Sequence, residues 1–139
     1  KNKKIMIRNL DSVRPWQHVI EALTAYILLA QKMDKSKKKY DYYNIGPFNK
    51  KIYSVKNVID TINKKLDINI KYKKIKIKKY KEDYILLLNS KKAIKNLKLK
   101  SKFEFEKTIL KTIKWYIDFY NNKNAIDICN SDLKEYGIL

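Results

Sequence analysis

The feature that most constrains this chain is a helical apolar pattern beginning near Pro15. Val19, Ala22, Leu23, Tyr26, Ile27 and Ala30 fall at offsets of 0, 3, 4, 7, 8 and 11, the spacing that brings side chains onto one helix face. Pro15 has no N–H and holds φ near −65°, which suits the first helical position, where that N–H would have no partner. The pattern predicts a helix over 15–34 that stops in the charge run 35–39. Ile20 and Leu28 lie off the main stripe, so the helix is apolar over more than one side and is expected between two layers.

The elements around it are shorter. Residues 4–8 alternate weakly and read as a strand entering a loop at 9–13. Residues 42–45 read as another, closed by the Gly46-Pro47 turn signal, with Gly46 marking a tight turn or a close approach of backbone. Ser54 suits the N-cap of a helix whose Val55, Val58, Ile59, Ile62 and Leu66 share one face. Residues 70–77 set Ile and Tyr between lysines, as in an edge strand that charge keeps from further pairing. Residues 84–88 read as a short buried strand or extended segment, followed by a small helix at 90–96 capped by Asn89 or Ser90. A long helix at 104–121 places Phe105, Ile109, Ile113, Tyr116, Ile117 and Tyr120 inward, and Glu104 and Glu106 favour its N-terminal end. A break at 121–124 precedes a final helix at 125–136. The expected fold class is α/β, with short strands and about five helices.

The unusual chemistry is gathered in residues 8–21, which hold both arginines, the sole histidine, one of two tryptophans and one of two prolines. A helix start offers unpaired N–H groups and about half a positive charge, a ready place for phosphate. Arg14 stands at that end with a planar fork suited to bidentate phosphate binding. The alternative is an arginine that pairs with Asp11 or caps a loop. A lone histidine in an apolar helix, as His18 is, is more often packed and hydrogen-bonded than catalytic, and Trp16 reads most simply as core. No second histidine and no nearby cysteine supports a metal site.

A formal charge of +19 would ordinarily point to nucleic acid or an anionic membrane surface. However, Lys, Ile, Asn and Tyr supply 75 of the 139 residues, whereas Gly, Ala, Arg and Pro supply 11. A/T-rich codons write the first set and G/C-rich codons the second, so base composition alone would yield this charge. The lysines of 64–100 read as a solvated face, since Tyr72 and Tyr80 make no stacking platform; nucleic acid is disfavoured as a partner, and a basic nucleic-acid-binding module that uses this stretch is the alternative function. The single cysteine, Cys129, excludes an internal disulfide and suits a reducing compartment, so cytoplasm is the default. The longest apolar runs, 26–30 and 85–88, fall far short of the roughly 20 residues that span a bilayer, and no leader opens the chain. A membrane partner is not expected. The first residue is Lys and a strand follows at once, which fits a piece of a longer chain.

Arg8-Asn9, followed by Arg14-Pro15-Trp16-Gln17-His18-Val19, resembles the C-terminal part of the CDP-glucose 4,6-dehydratases, members of the extended short-chain dehydrogenase/reductase superfamily. The family helix rich in Leu-Leu-Ala is represented by Tyr26-Ile27-Leu28-Leu29-Ala30, and its Trp-Asn-Phe-Gly-Pro by Tyr43-Asn44-Ile45-Gly46-Pro47. Residues 82–89, Ser90-Lys91-Lys92-Ala93 and Thr112-Ile113-Lys114-Trp115-Tyr116 resemble further segments in register. Departures include Leu10 for the proline after Arg-Asn, Asn89 for Asp, and Leu97-Lys98-Leu99 where the family has Leu-Gly-Trp.

The resemblance implies the substrate-binding, C-terminal portion of an extended Rossmann-type enzyme over 1–139. It implies that Arg14 grips a nucleotide-sugar diphosphate, with Arg8, His18 and Trp16 shaping the site and Lys81 and Glu82 near a second substrate-contacting segment. It further implies CDP-glucose as substrate, NAD as cofactor, a homodimer at full length, and an N-terminal NAD-binding lobe outside this sequence. The sequence itself holds no glycine-rich phosphate loop, no Tyr-x-x-x-Lys pair and no complete active site. Standing alone, the chain should leave an apolar patch on the helix at 15–33, where such a lobe would pack; near-complete burial of Ile20 and Leu28 would argue for a self-sufficient domain.

Overall fold

A computed structural model describes residues 4–36, 41–48, 51–75 and 83–138. The elements, in order, are β1 (Ile5–Ile7), β2 (Val13–Arg14), α1 (Val19–Asp34), β3 (Tyr53–Ser54), α2 (Val55–Leu66), β4 (Tyr72–Lys74), α3 (Lys91–Leu97), α4 (Phe105–Tyr120) and α5 (Ala125–Tyr136). The fold is α/β, with five helices and short strands, as expected. The chain divides into two compact units, one within Lys1–Pro15 and Asn49–Leu87, the other within Trp16–Phe48 and Leu88–Leu139.

In the first unit β1 runs parallel to β4, pairing Ile5 with Tyr72 and Ile7 with Lys74. Tyr72, Lys73 and Lys74 are all exposed, as an edge strand padded with lysine should be; residues 76 and 77 of the expected strand lie outside the described residues. β2 runs antiparallel to β3, and Val13 also forms a parallel bridge to Ile85. Part of the loop expected at 9–13 is therefore strand. α2 follows β3 directly because Ser54 closes a capping box: its hydroxyl accepts from the Asn57 N–H at 3.3 Å, while Asn57 Oδ1 accepts from the Ser54 N–H at 2.8 Å. Ile59 and Ile62 are buried beneath α2, and its end is marked by Asp67 at φ 50°.

In the second unit α1 begins at Val19, four residues later than Pro15 suggested. Extended backbone at His18 (φ −71°, ψ 141°) sets the boundary, and His18 Nδ1 accepts from the Ile20 N–H at 3.3 Å. The rotation of α1 also differs from the predicted stripe. Glu21 Oε1 accepts from the backbone N–H groups of Lys102 (2.8 Å) and Phe103 (3.0 Å) and from the Ser101 hydroxyl (3.1 Å), so this buried carboxylate must face inward. Ile20, Glu21 and Ala25 are therefore the buried positions, while Val19, Leu23, Tyr26 and Ile27 are each half or more exposed. The apolar patch expected on this helix is present; Ile20 is buried and Leu28 only partly so.

Residues 41–48 form no strand. They are held by side chains: Tyr43, Ile45 and Phe48 pack on a core of Ala25, Ala93, Leu97 and Leu99, and the Lys92 ammonium lies 4.5 Å from the Tyr42 and Tyr43 ring centres. Lys92 also pairs with Asp41 and holds that carboxyl down at about 2. A Cβ at Gly46 would meet Leu88 Cβ at 3.1 Å and Ser90 Oγ at 3.3 Å, which is the close approach its sequence position suggested. At the start of α3, Asn89 rather than Ser90 supplies the capping oxygen, accepting from the Lys91 N–H at 3.2 Å.

α5 follows the break at 121–124, where Asn124 Oδ1 accepts from the Ile126 and Asp127 N–H groups. It packs along α4 through Lys107–Glu135 and Lys111–Asp132, both at 2.9 Å, and through Trp115 Nε1–H to Cys129 Sγ at 3.4 Å. This arrangement buries Phe105, Thr108 and Ile109 of α4. Tyr116, Ile117 and Tyr120, expected inward, are exposed instead. α5 takes the side of Lys107, Lys111 and Trp115, and the later aromatics stack on one another, Trp115 on Phe119 and Tyr116 on Tyr120. Residues 84–88, expected as a buried segment, are likewise exposed.

Candidate functional site

Arg14 is part of β2, opposite Tyr53, and is half-buried. It is not in the first turn of α1, so its cation is not delivered to that helix end by sequence adjacency. Its Nη1 donates to the carbonyls of Val13 (2.7 Å) and Asp83 (3.2 Å), which fixes the plane of the guanidinium against the strand bridged at Val13 and Ile85. Arg8 follows β1 on the surface of the same unit. Lys81 and Glu82 lie outside the described residues.

Trp16 and His18 belong to the second unit, at the head of α1. His18 is buried, and its ring meets Phe103 edge-on with centroids 5.2 Å apart. Burial pushes the imidazole below its ordinary value of 6.5; the Asp132 and Glu21 carboxylates pull it upward, and Lys111 adds to the depression. A neutral ring with its Nδ1 lone pair on the Ile20 amide is a helix cap. This matches the packed reading of His18 and leaves Nδ1 unable to take a substrate proton without releasing the helix.

The head of α1 also forms one wall of a cleft of about 560 Å³, whose other walls are α4 and α5. Gln17, His18, Trp115, Tyr116, Cys129 and Asp132 are among its lining residues. Of these, Asp132 is tied to Lys111, and Lys111 pairs in turn with Glu135. No nucleophile in the cleft is hydrogen-bonded to a base among the described residues. The cleft is large enough to hold a small molecule. Sequence reasoning did not pick out Asp132 or Cys129, which carry no motif; Trp115 and Tyr116 had a signal in the Thr-x-x-Trp-Tyr segment. No group of three metal-ligating side chains occurs among the described residues, and none of their helices is long and apolar enough to cross a membrane.

The residues present do not fit NAD. Of the two glycines, Gly46 is packed against Leu88 and Ser90, and Gly137, at φ 78°, ends α5. Neither opens a strand-to-helix turn that could cradle a pyrophosphate.

No protein-family model matches the chain. A stretch of 60 residues, 42% of this chain, is 38% identical to the CDP-glucose 4,6-dehydratase of Salmonella typhimurium. The matched stretch covers 17% of that protein's length.

Proposed function

We propose that this chain supplies the substrate-side part of a CDP-glucose 4,6-dehydratase, an NAD-dependent lyase that converts CDP-glucose to CDP-4-dehydro-6-deoxyglucose and water. The observation that carries this reading is the 38% identity over 60 residues to an enzyme of that name. In this reading Arg14 holds the diphosphate. Its fork is oriented beforehand by the Val13 and Asp83 carbonyls, so little side-chain freedom is lost on binding. Arg8, Lys81 and Glu82 contribute to substrate contact, and Trp16 and His18 shape or support the pocket. NAD and the reacting groups belong to a lobe outside this sequence, and the complete enzyme is a cytoplasmic homodimer.

The test is an NMR titration of the labelled chain with CDP-glucose, followed at the Arg14 side chain and the Tyr53 amide. Saturable shifts are expected, with affinity at least tenfold weaker in Arg14→Lys, because an ammonium cannot make the two parallel bonds of the guanidinium. Equal affinity in Arg14→Lys would remove Arg14 from the diphosphate site. Absence of shifts in the parent chain would remove the reading.

A further inference from the structure

The cleft between the head of α1, α4 and α5 lies wholly within the second unit. Its aromatic wall is held in place: Trp115 stacks on Phe119 with centroids 5.2 Å apart, meets Tyr116 edge-on at 5.4 Å, and ties its Nε1–H to Cys129 Sγ. Two polar groups without partners stand on the α1 side. His18 is only 4% exposed, and because its Nδ1 lone pair accepts the Ile20 N–H, its own proton sits on Nε2, which has no acceptor among the described residues. Gln17 Nε2 is buried and likewise has no partner among them. A buried donor left unmet opposes folding, so two of them on neighbouring residues of one cleft wall point to a ligand that meets them.

The charge of that ligand is set by what lines the cleft. No lysine or arginine does so among the described residues, and the one lining carboxylate, Asp132, is balanced by Lys111 at 2.9 Å. An anion would meet Asp132 with no cation to hold it, and a cation would face N–H donors. We propose that this cleft binds a neutral, flat aromatic molecule whose carbonyl accepts from His18 Nε2–H and the Gln17 amide. The rings would lie against Leu23, Trp115 and Tyr116 while the carbonyl meets the two donors, and about 560 Å³ is ample for a molecule of this kind. An apolar helix from another protein suits the walls but not the donors, because its carbonyls are spent on its own backbone. A lipid chain has no acceptor to offer. The inference does not rest on the dehydratase reading, whose substrate carries a diphosphate and is placed at Arg14 in the first unit.

The probes are acetylnaphthalene, isopropenylnaphthalene, in which a CH₂ replaces the carbonyl oxygen at nearly constant shape, and naphthoate, which adds a negative charge. Each is titrated into the isotope-labelled chain and followed by NMR. The ketone is expected to bind saturably, shifting the His18 ring, the Gln17 side-chain amide and the Trp115 indole N–H. The alkene and the carboxylate should each bind at least tenfold more weakly. Gln17→Leu removes one donor, so the ketone should lose at least half of its advantage over the alkene on a logarithmic scale. The same substitution deletes a buried unmet amide, so it should also raise the urea midpoint, a result that a structural role for Gln17 would reverse. The comparison of ketone with alkene on the unaltered chain stands whether or not that variant folds. Equal affinity of the two would overturn the proposal. So would failure of the ketone to saturate, tighter binding of naphthoate, shifts centred on Tyr26, Ile27 and Tyr120 instead of the cleft, or a lowered midpoint in Gln17→Leu.

Discussion

His18 Nδ1 must keep its lone pair to accept the Ile20 N–H, so the cap on α1 exists only with a neutral ring. The folded imidazole lies below its ordinary 6.5, so the unfolded chain takes up the proton more readily. The associated stability is complete above pH 6.5 and is lost as pH falls from there through the folded value. Urea unfolding at pH 7.5 and pH 5 should show this loss in the parent chain, and a smaller loss in His18→Asn, whose amide caps at both pH values. An equal loss in both would place the pH dependence elsewhere. Lys98 makes a second residue-level case. It ends α3 in the left-handed region at φ 53°, at the position where the Leu-Gly-Trp pattern of the resemblance has glycine. Lys98→Gly should therefore stabilise the chain by about 1 kcal/mol, measured as a rise in the urea midpoint at constant slope. A fall would mean that the lysine side chain makes a contact worth more than the backbone strain. The departure from Leu-Gly-Trp was visible in the sequence; the positive φ that gives it meaning was not.

At the scale of elements, α2 and α5 were legible almost to the residue, because Ser54 and Asn124 are strong local stop-and-start signals that act on neighbouring N–H groups. α1 was legible as a helix but not in its start or rotation. Pro15 is compatible with a helix start without requiring one, and the cap came from a histidine, which no simple N-cap preference includes. The inward face was set by Glu21 reaching backbone some 80 positions away, a contact that apolar spacing does not encode. Glu21→Ala should cost about 2–4 kcal/mol, since it strands the Lys102 and Phe103 N–H groups, whereas Glu21→Gln, which keeps an acceptor oxygen, should cost about half as much. Equal costs for the two would show that the clamp depends on charge rather than on acceptance. In α4 the spacing correctly chose Phe105 and Ile109, but it could not tell how far along the helix the cover extends. Residues 42–45 had the composition of a strand but lacked a ladder partner among the described residues, and cation–aromatic and apolar contacts hold them instead.

For the molecule as a whole, the α/β class followed from alternating short extended runs and helical patterns, while the candidate site was legible only through a six-residue likeness around Arg14. The structure keeps Arg14 oriented by backbone, assigns His18 to a helix cap, and leaves apolar surface on α1, α4 and the segment 84–88. The charge of +19 has two consequences that one experiment separates. If lysine padding is a solvated face, anions should bind weakly and without structure; if it is a nucleic-acid surface, affinity should fall by about 0.7–0.9 log units per phosphate contact for each tenfold rise in salt. The most direct measurement is calorimetric titration of the chain with CDP-glucose and, separately, with random-sequence RNA, each at low and physiological salt. The dehydratase reading predicts one-to-one, saturable heat with CDP-glucose that survives physiological salt and is not displaced by RNA. Heat only with RNA, disappearing steeply as salt rises, would contradict it.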